Sequence, residues 1–333
     1  SPGPSPMNYL KRMSQSHLMR KFLSPFVENP SGTQEKVDIY RAALVLKCYE
    51  SWKSTGKPIP VEDEVEMFYK EVNGLSGDKQ KDYVQDSINN QVVQLFSILH
   101  NQEEIKKFGK KYFDVEEVGH CHSNESLKKL PFSLTCKQST IPNAGQGVFI
   151  SGFDNLIASG TVVSLYPGIV HLKENIRDST YFRSLLPDDN LMLMARYDCA
   201  LIDARAANKV PVNPIALAHL VNHCGKDRRP NVMAVSFDYP SVTDLFPSHL
   251  QRFIPNQYAQ PLSLLGKLET AFCCMKGSVL ISCQPLEEGD ELFMDYRLNP
   301  TSHGDVNSTG LPAWYEPYDV DEALMRWGGN TEQ

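Results

Sequence analysis

Apolar positions recur every three or four residues through the first third of the chain, then give way to short runs set between Gly, Pro and Asn. The first texture predicts helices and the second predicts strands. Ser31 with Gln34 has the spacing of a capping box, after which Val37, Tyr40, Leu44 and Cys48 repeat at helical spacing. Pro60 is placed to open a second helix, with Val61, Val65, Phe68 and Val72 on one face. Val84, Ile88, Val92, Leu95 and Leu99 form the clearest stripe, from Asp78 to His100, and Ile105, Phe108 and Tyr112 suggest a short fourth helix. Such stripes are core faces. They predict a small helical domain over residues 31–120 with its own core and no chemistry.

From about residue 130 the strand candidates are Val148 to Ile150, Val162 to Leu165, Ala200 to Ile202, Met233 to Phe237 and Ser278 to Ile281. Gly160-Thr161, Gly277-Ser278 and Glu287 to Asp290 supply turn chemistry beside them. The order of helices and then strands predicts an α+β fold, without the alternating strand-helix rhythm of a doubly wound sheet.

Composition narrows the function. The net charge is −7, which argues against wholesale nucleic-acid binding, since that requires clustered Lys and Arg to displace counterions. A basic protein partner suits that balance better. No apolar run reaches the ~20 residues that a membrane helix needs. The 8 cysteines form no C-x-x-C pair and are too sparse for a secreted disulfide scaffold, so a reducing, intracellular setting is expected. His120-Cys121-His122 has metal-ligand composition, but three consecutive residues rarely shape one tetrahedral site, and no metal is expected there.

Four short motifs occur in order: Gly145-Gln146-Gly147-Val148-Phe149, Tyr166-Pro167-Gly168, Asn222-His223-Cys224 with Pro230-Asn231, and Glu291 to Tyr296. Singly each is weak. In this order and spacing they resemble the SET-domain protein-lysine methyltransferase family. The resemblance covers roughly residues 134–297 and includes Asn213-Pro214 and the Phe246-Pro247…Pro255-Asn256 insertion.

That resemblance implies small curved sheets closed by a pseudoknot, with S-adenosyl-L-methionine as cofactor and an accessible lysine of a protein as acceptor. By the same resemblance Gly145, Gln146, Gly147, Asn222, His223 and Tyr296 contact the cofactor, and Tyr296 is the catalytic residue, its phenol orienting the lysine amine. Tyr166 is the second catalytic candidate, as a wall of the lysine channel, or else a core aromatic. His223 read alone is a buried histidine bonded to backbone. Asp295 is expected to anchor its turn. Met294 stands two residues before Tyr296, where a hydroxyl would restrict rotation of a methylated amine; methionine has none and can yield space.

The family's Asn-His-Ser-Cys-x-Pro-Asn is interrupted here by an insertion carrying Lys226, Arg228 and Arg229, which either reach the cofactor carboxylate or form a solvated loop, the latter being preferred. No cysteine follows Cys283 in the sequence, so the zinc-binding tail of many relatives is not expected. Trp314, Tyr315, Tyr318 and a helix from Asp319 through Trp327 either cover the cofactor or latch the domain. The organisation expected is a basic segment at 1–30, helices at 31–120, a SET domain at 130–300 with an insertion near 240–270, and an aromatic tail at 301–333. Residues 1–27 lack any acidic residue, which fits a mitochondrial address, a docking helix or a tail; otherwise the nucleus or cytoplasm is expected. The rival function is a SET fold with weak or no activity, kept as an interaction or structural subunit.

Overall fold

A computed structural model describes residues 30–112, 130–152, 156–176, 192–241, 246–271, 273–298 and 315–319. The basic first segment, the His120-Cys121-His122 run, Trp314 and all of the expected tail helix after Asp319 lie outside these residues.

Three helices lead. They are α1 (Pro30–Thr55), α2 (Glu62–Asn73) and α3 (Gly77–Tyr112). α1 begins one residue ahead of the expected cap, and Gln34 turns its amide to Asp38 within the helix at 2.9 Å. α2 starts after Val61, whose amide donates to Glu64 Oε2 at 2.8 Å, and it buries Val65, Phe68 and Val72. Pro60 does not open it, and Val61, expected on the same face, is the exposed cap because it lies ahead of the first helical turn. The separate fourth helix is corrected: α3 continues unbroken for 36 residues, because no proline interrupts the chain between His100 and Ile105.

The remaining elements are β1 (Ser133–Gln138), β2 (Gln146–Ser151), β3 (Val162–Leu165), β4 (Gly168–His171), α4 (Lys173–Ile176), β5 (Leu193–Ala195), β6 (Leu201–Asp203), β7 (Asn222–His223), β8 (Val232–Pro240), β9 (Asn256–Tyr258), α5 (Leu264–Glu269), β10 (Cys273–Ser282) and β11 (Phe293–Met294). They make four small sheets, with orders β1-β2, β3-β10-β8, β5-β6-β4-β9 and β7-β11. All five predicted strands are present. β1, β4, β5, β7, β9 and β11 were not predicted: β1 is almost wholly exposed, and the others are two to four residues long, too short to show a period.

The helices have no core of their own. Leu46, Phe68, Ile88 and Phe96 share one buried cluster with Val162 and Leu165 of β3, Val235, Phe237 and Tyr239 of β8, and Val279 and Ile281 of β10. Phe246, Leu250 and Phe253 of the 240–270 insertion join it, with Phe253 5.7 Å from Phe96 between ring centres. The separate helical core that was expected is thus replaced by a layer shared with the strands, because helical periodicity shows that a face is apolar but not what covers it. A second cluster, including Val148, Val163, Tyr166 and Leu292, lies in the strand region alone.

The two regions meet backbone to backbone at Gly160. Its φ is 81°, and a Cβ there would stand 2.1 Å from Val45 O of α1. Gln91 of α3 braces the same spot, donating to Gly160 O at 2.9 Å and accepting from Val162 N at 2.8 Å. Replacing Gly160 by Ala should therefore cost roughly 3 kcal/mol, from the forced separation of packed backbone and the unfavourable φ. In a thermal melt that is a fall of about 6–12 °C for a chain of this size. An unchanged melting temperature would mean that the helices do not dock on the strands.

Candidate active site

Three of the four motifs, the first, third and fourth, converge through one carboxylate. Glu291 is buried, and it accepts from Ser139 Oγ at 2.6 Å, from Thr140 N at 2.7 Å and from Thr140 Oγ1 at 2.5 Å, with Asn222 Nδ2 at 3.4 Å. Burial alone would push its carboxyl up, but these hydrogen bonds outweigh it and hold it below the usual carboxylate range. Asn222 Nδ2 also donates to Gln146 O at 3.0 Å. The loop of the first motif is thereby tied to the third and fourth.

The two glycines of that loop serve different ends. Gly145 has φ 75° with nothing within 4 Å of its missing Cβ, so it faces open space in a conformation that suits glycine. Gly147 is small because Glu291 fills the place: a Cβ would lie 2.1 Å from Oε1 and 3.3 Å from Asn222 Nδ2. Sequence reasoning missed Glu291 as a site residue, although it opens the last motif.

His223 and Tyr296 are held together by the parallel pairing of β7 with β11, in which Asn222 lies opposite Phe293 and His223 opposite Met294. His223 Nδ1 accepts from Tyr296 N at 3.3 Å and Nε2 lies 2.7 Å from Glu316 O, which assigns the proton to Nε2. The buried, backbone-bonded reading of His223 therefore describes its geometry. Tyr315 stacks on its ring at 4.6 Å, and Leu298 N donates to the Tyr315 hydroxyl at 3.1 Å. Tyr315 is thus a latch across β7 and the segment after β11. Asp295 Oδ1 accepts from Arg297 N at 3.0 Å, which anchors the turn as expected.

The Tyr296 hydroxyl donates to Val221 O at 3.0 Å, leaving its oxygen able to accept. Burial pushes its phenol up to about 12, so it is neutral at physiological pH. Burial raises Tyr166 further, with the neighbouring Tyr296 contributing. Asn256 of the insertion donates to Tyr166 O at 3.0 Å, in a parallel pairing of β4 with β9. The next turn needs Gly168, since a Cβ there would lie 2.4 Å from Asp203 O.

Tyr166 and Tyr296 both line a cleft of about 750 Å³, together with Met294, Leu193, Met194, Met233 and residues of α1. Gly145, Gln146, Gly147, Asn222 and His223 are not among its lining residues. Tyr296 alone of the expected cofactor residues reaches both places. This two-sided arrangement around one tyrosine, with β7 beside β11, agrees with the sequence resemblance. The chain is similar to SET domain-containing protein 9.

The likeness to human SET domain-containing protein 9 is 29% identity over 196 residues, covering 51% of this chain and 59% of the human protein. The Pongo abelii protein of the same name is 29% identical over 196 residues, covering 65% of its length. The chain thus spans about three fifths of the length of the curated SET relatives it matches. No protein-family model matches it. Among solved structures, KRYPTONITE in complex with mCHH DNA, H3(1-15) peptide and SAH overlaps at a TM-score of 0.30 and 18% identity, covering 55% of this chain and 27% of that one. ctPRC2 in an autoinhibited conformation bound to S-adenosylmethionine overlaps at 0.29 and 14% identity, covering 50% of this chain and 15% of that one.

The inserted loop after His223 is exposed but tethered. Lys226 pairs with Glu316 at 2.9 Å, while Arg228 donates to Thr140 O at 3.1 Å and lies 5.2 Å from the Phe293 ring centre. Among the described residues no group of His, Cys, Asp and Glu is arranged to hold a metal ion. None of the described helices is long and apolar enough to cross a membrane.

Proposed function

We propose that the chain is an S-adenosylmethionine-dependent methyltransferase acting on a lysine side chain of a protein. The observation that carries this reading is the position of Tyr296, shared between the glycine-loop and Asn-His cluster on one side and the cleft on the other. The first cluster suits the cofactor: Gly145 leaves open space beside a loop whose backbone is fixed by Asn222 and Glu291. The cofactor supplies an electrophilic methyl on a sulfonium.

The residues of the chain do the rest. An acceptor lysine is almost wholly protonated in water, with a pKa of about 10.4. The apolar walls from Leu193, Met194, Met233 and Met294 disfavour the ammonium form in the cleft. With its own proton committed to Val221 O, the Tyr296 hydroxyl presents a lone pair that accepts one amine N–H and orients the nitrogen lone pair for in-line displacement. It does not act as the base, because a phenol neutral up to about pH 12 cannot remove a proton at physiological pH.

Titration calorimetry with S-adenosylmethionine tests the cofactor half. Saturable binding that weakens at least tenfold in Asn222→Ala is expected, since that substitution frees the glycine loop. Absence of binding at millimolar cofactor would reject the enzyme reading. The acceptor half is tested by methyl transfer to a random library of lysine-containing peptides, with the modified atom located by mass spectrometry.

A further inference from the structure

We propose that Asp38, on α1 and outside every motif of the site, is a positioning residue for the reaction at Tyr296; this rests on the function proposed above. Tyr296 is followed directly by Arg297, whose backbone lies in the left-handed region at φ 53°. Arginine has no local preference for that region, so its surroundings must hold it there. Two contacts do so. One is the Arg297 N–H bond to Asp295, and the other joins the Arg297 guanidinium to Asp38 Oδ2.

Asp38 is only 5% exposed and is itself held, accepting from Gln34 Nε2 at 2.9 Å and from the Tyr197 hydroxyl. A buried carboxylate that meets a guanidinium at two residues 259 positions apart is a rigid tie, since removing either partner breaks a charged, hydrogen-bonded contact shielded from water. The tie joins the helical region to the residue after the catalytic tyrosine. Asp38, Arg297, Tyr296, Tyr166 and Met294 also line the same cleft, so α1 supplies one wall of the space in which the amine would lie. The helices therefore complete the active site. Letting Arg297 relax toward ordinary φ values would turn Tyr296 away from Val221 O, changing the placement of its hydroxyl while leaving the glycine loop in place.

The test uses the whole chain as wild type, Asp38→Asn, Arg297→Gln and the double variant. Methyl transfer to the lysine peptide library is measured at saturating S-adenosylmethionine, and cofactor Kd by calorimetry. Each single variant is expected to lose at least tenfold in turnover with Kd changed less than twofold, and the double variant to lose no more than the worse single one. Losses that multiply, turnover that stays unchanged, or a Kd that rises in step with the turnover loss would overturn the proposal. A readout independent of turnover is the ¹⁹F resonance of 3-fluorotyrosine placed at position 296, expected to shift or split alike in both single variants. An unchanged resonance in both overturns the proposal. If the wild type methylates no peptide, the proposed function fails and the fluorine spectra alone decide the positioning role. Should Asp38→Asn fail to fold, Arg297→Gln carries the same measurements, since its side chain is 23% exposed.

Discussion

Tyr296→Phe is expected to lower methyl transfer by about a hundredfold to ten-thousandfold, while cofactor affinity changes by no more than about threefold. The hydroxyl acts on the amine in the transition state and contributes little to holding the cofactor, so the loss should appear in kcat. Stability should fall by only about 1 kcal/mol, the worth of the bond to Val221 O. The pH profile separates orientation from base catalysis. Because the phenol stays neutral up to about pH 12, the rise in rate with pH belongs to the substrate amine, and the variant should keep the shape of the wild-type profile at lower amplitude. A variant that retains wild-type rates, or one whose profile loses its rising limb, would remove Tyr296 from the assigned role.

Gly147→Ala should damage the protein before any ligand is present. The added Cβ would stand 2.1 Å from Glu291 Oε1 and 2.8 Å from Cδ, and that carboxylate cannot withdraw without leaving its bonds to Ser139 and Thr140. Displacing a buried, hydrogen-bonded carboxylate costs about 2–4 kcal/mol. The melting temperature of the ligand-free variant should drop accordingly, and cofactor affinity should fall at least tenfold as the loop held by Asn222 shifts. Gly145→Ala provides the contrast. Nothing lies within 4 Å of its Cβ position, so only the strained φ of 75° opposes it, at about 1 kcal/mol. If the two variants melt alike, the small size of Gly147 is not set by Glu291. Adding Glu291→Ala to Gly147→Ala removes the clash and should recover part of the lost stability.

The same pair of glycines shows where reading a sequence stops. Their motif is visible in the chain, and so are its order and its distance from Asn222, His223 and Tyr296, because motif spacing is a property of the linear sequence. The reason for each glycine is not visible: one answers to a backbone angle, the other to a carboxylate 144 positions away. Glu291 was overlooked as a site residue for the same reason, since a lone acidic residue at a strand end is ordinary until its partners are known.

The helical stripes, the five longer strands, the α+β class and the SET resemblance are determined by local pattern: a buried face repeats with the period of its element, and a turn demands its own residues. Tertiary structure alone decided the rest. The stripe of α3 announces an apolar face, and only the fold shows that β3, β8, β10 and Phe253 cover it. Strands of two residues such as β7 and β11 have no period to read, yet their parallel pairing brings His223 to Tyr296. Asp38 looks like any helix-surface acid in sequence, and becomes part of the cleft because α1 packs its flank beside Arg297. Periodicity records which side of an element avoids water; which other element meets that side, and which charges close across it, depends on contacts between residues far apart along the chain.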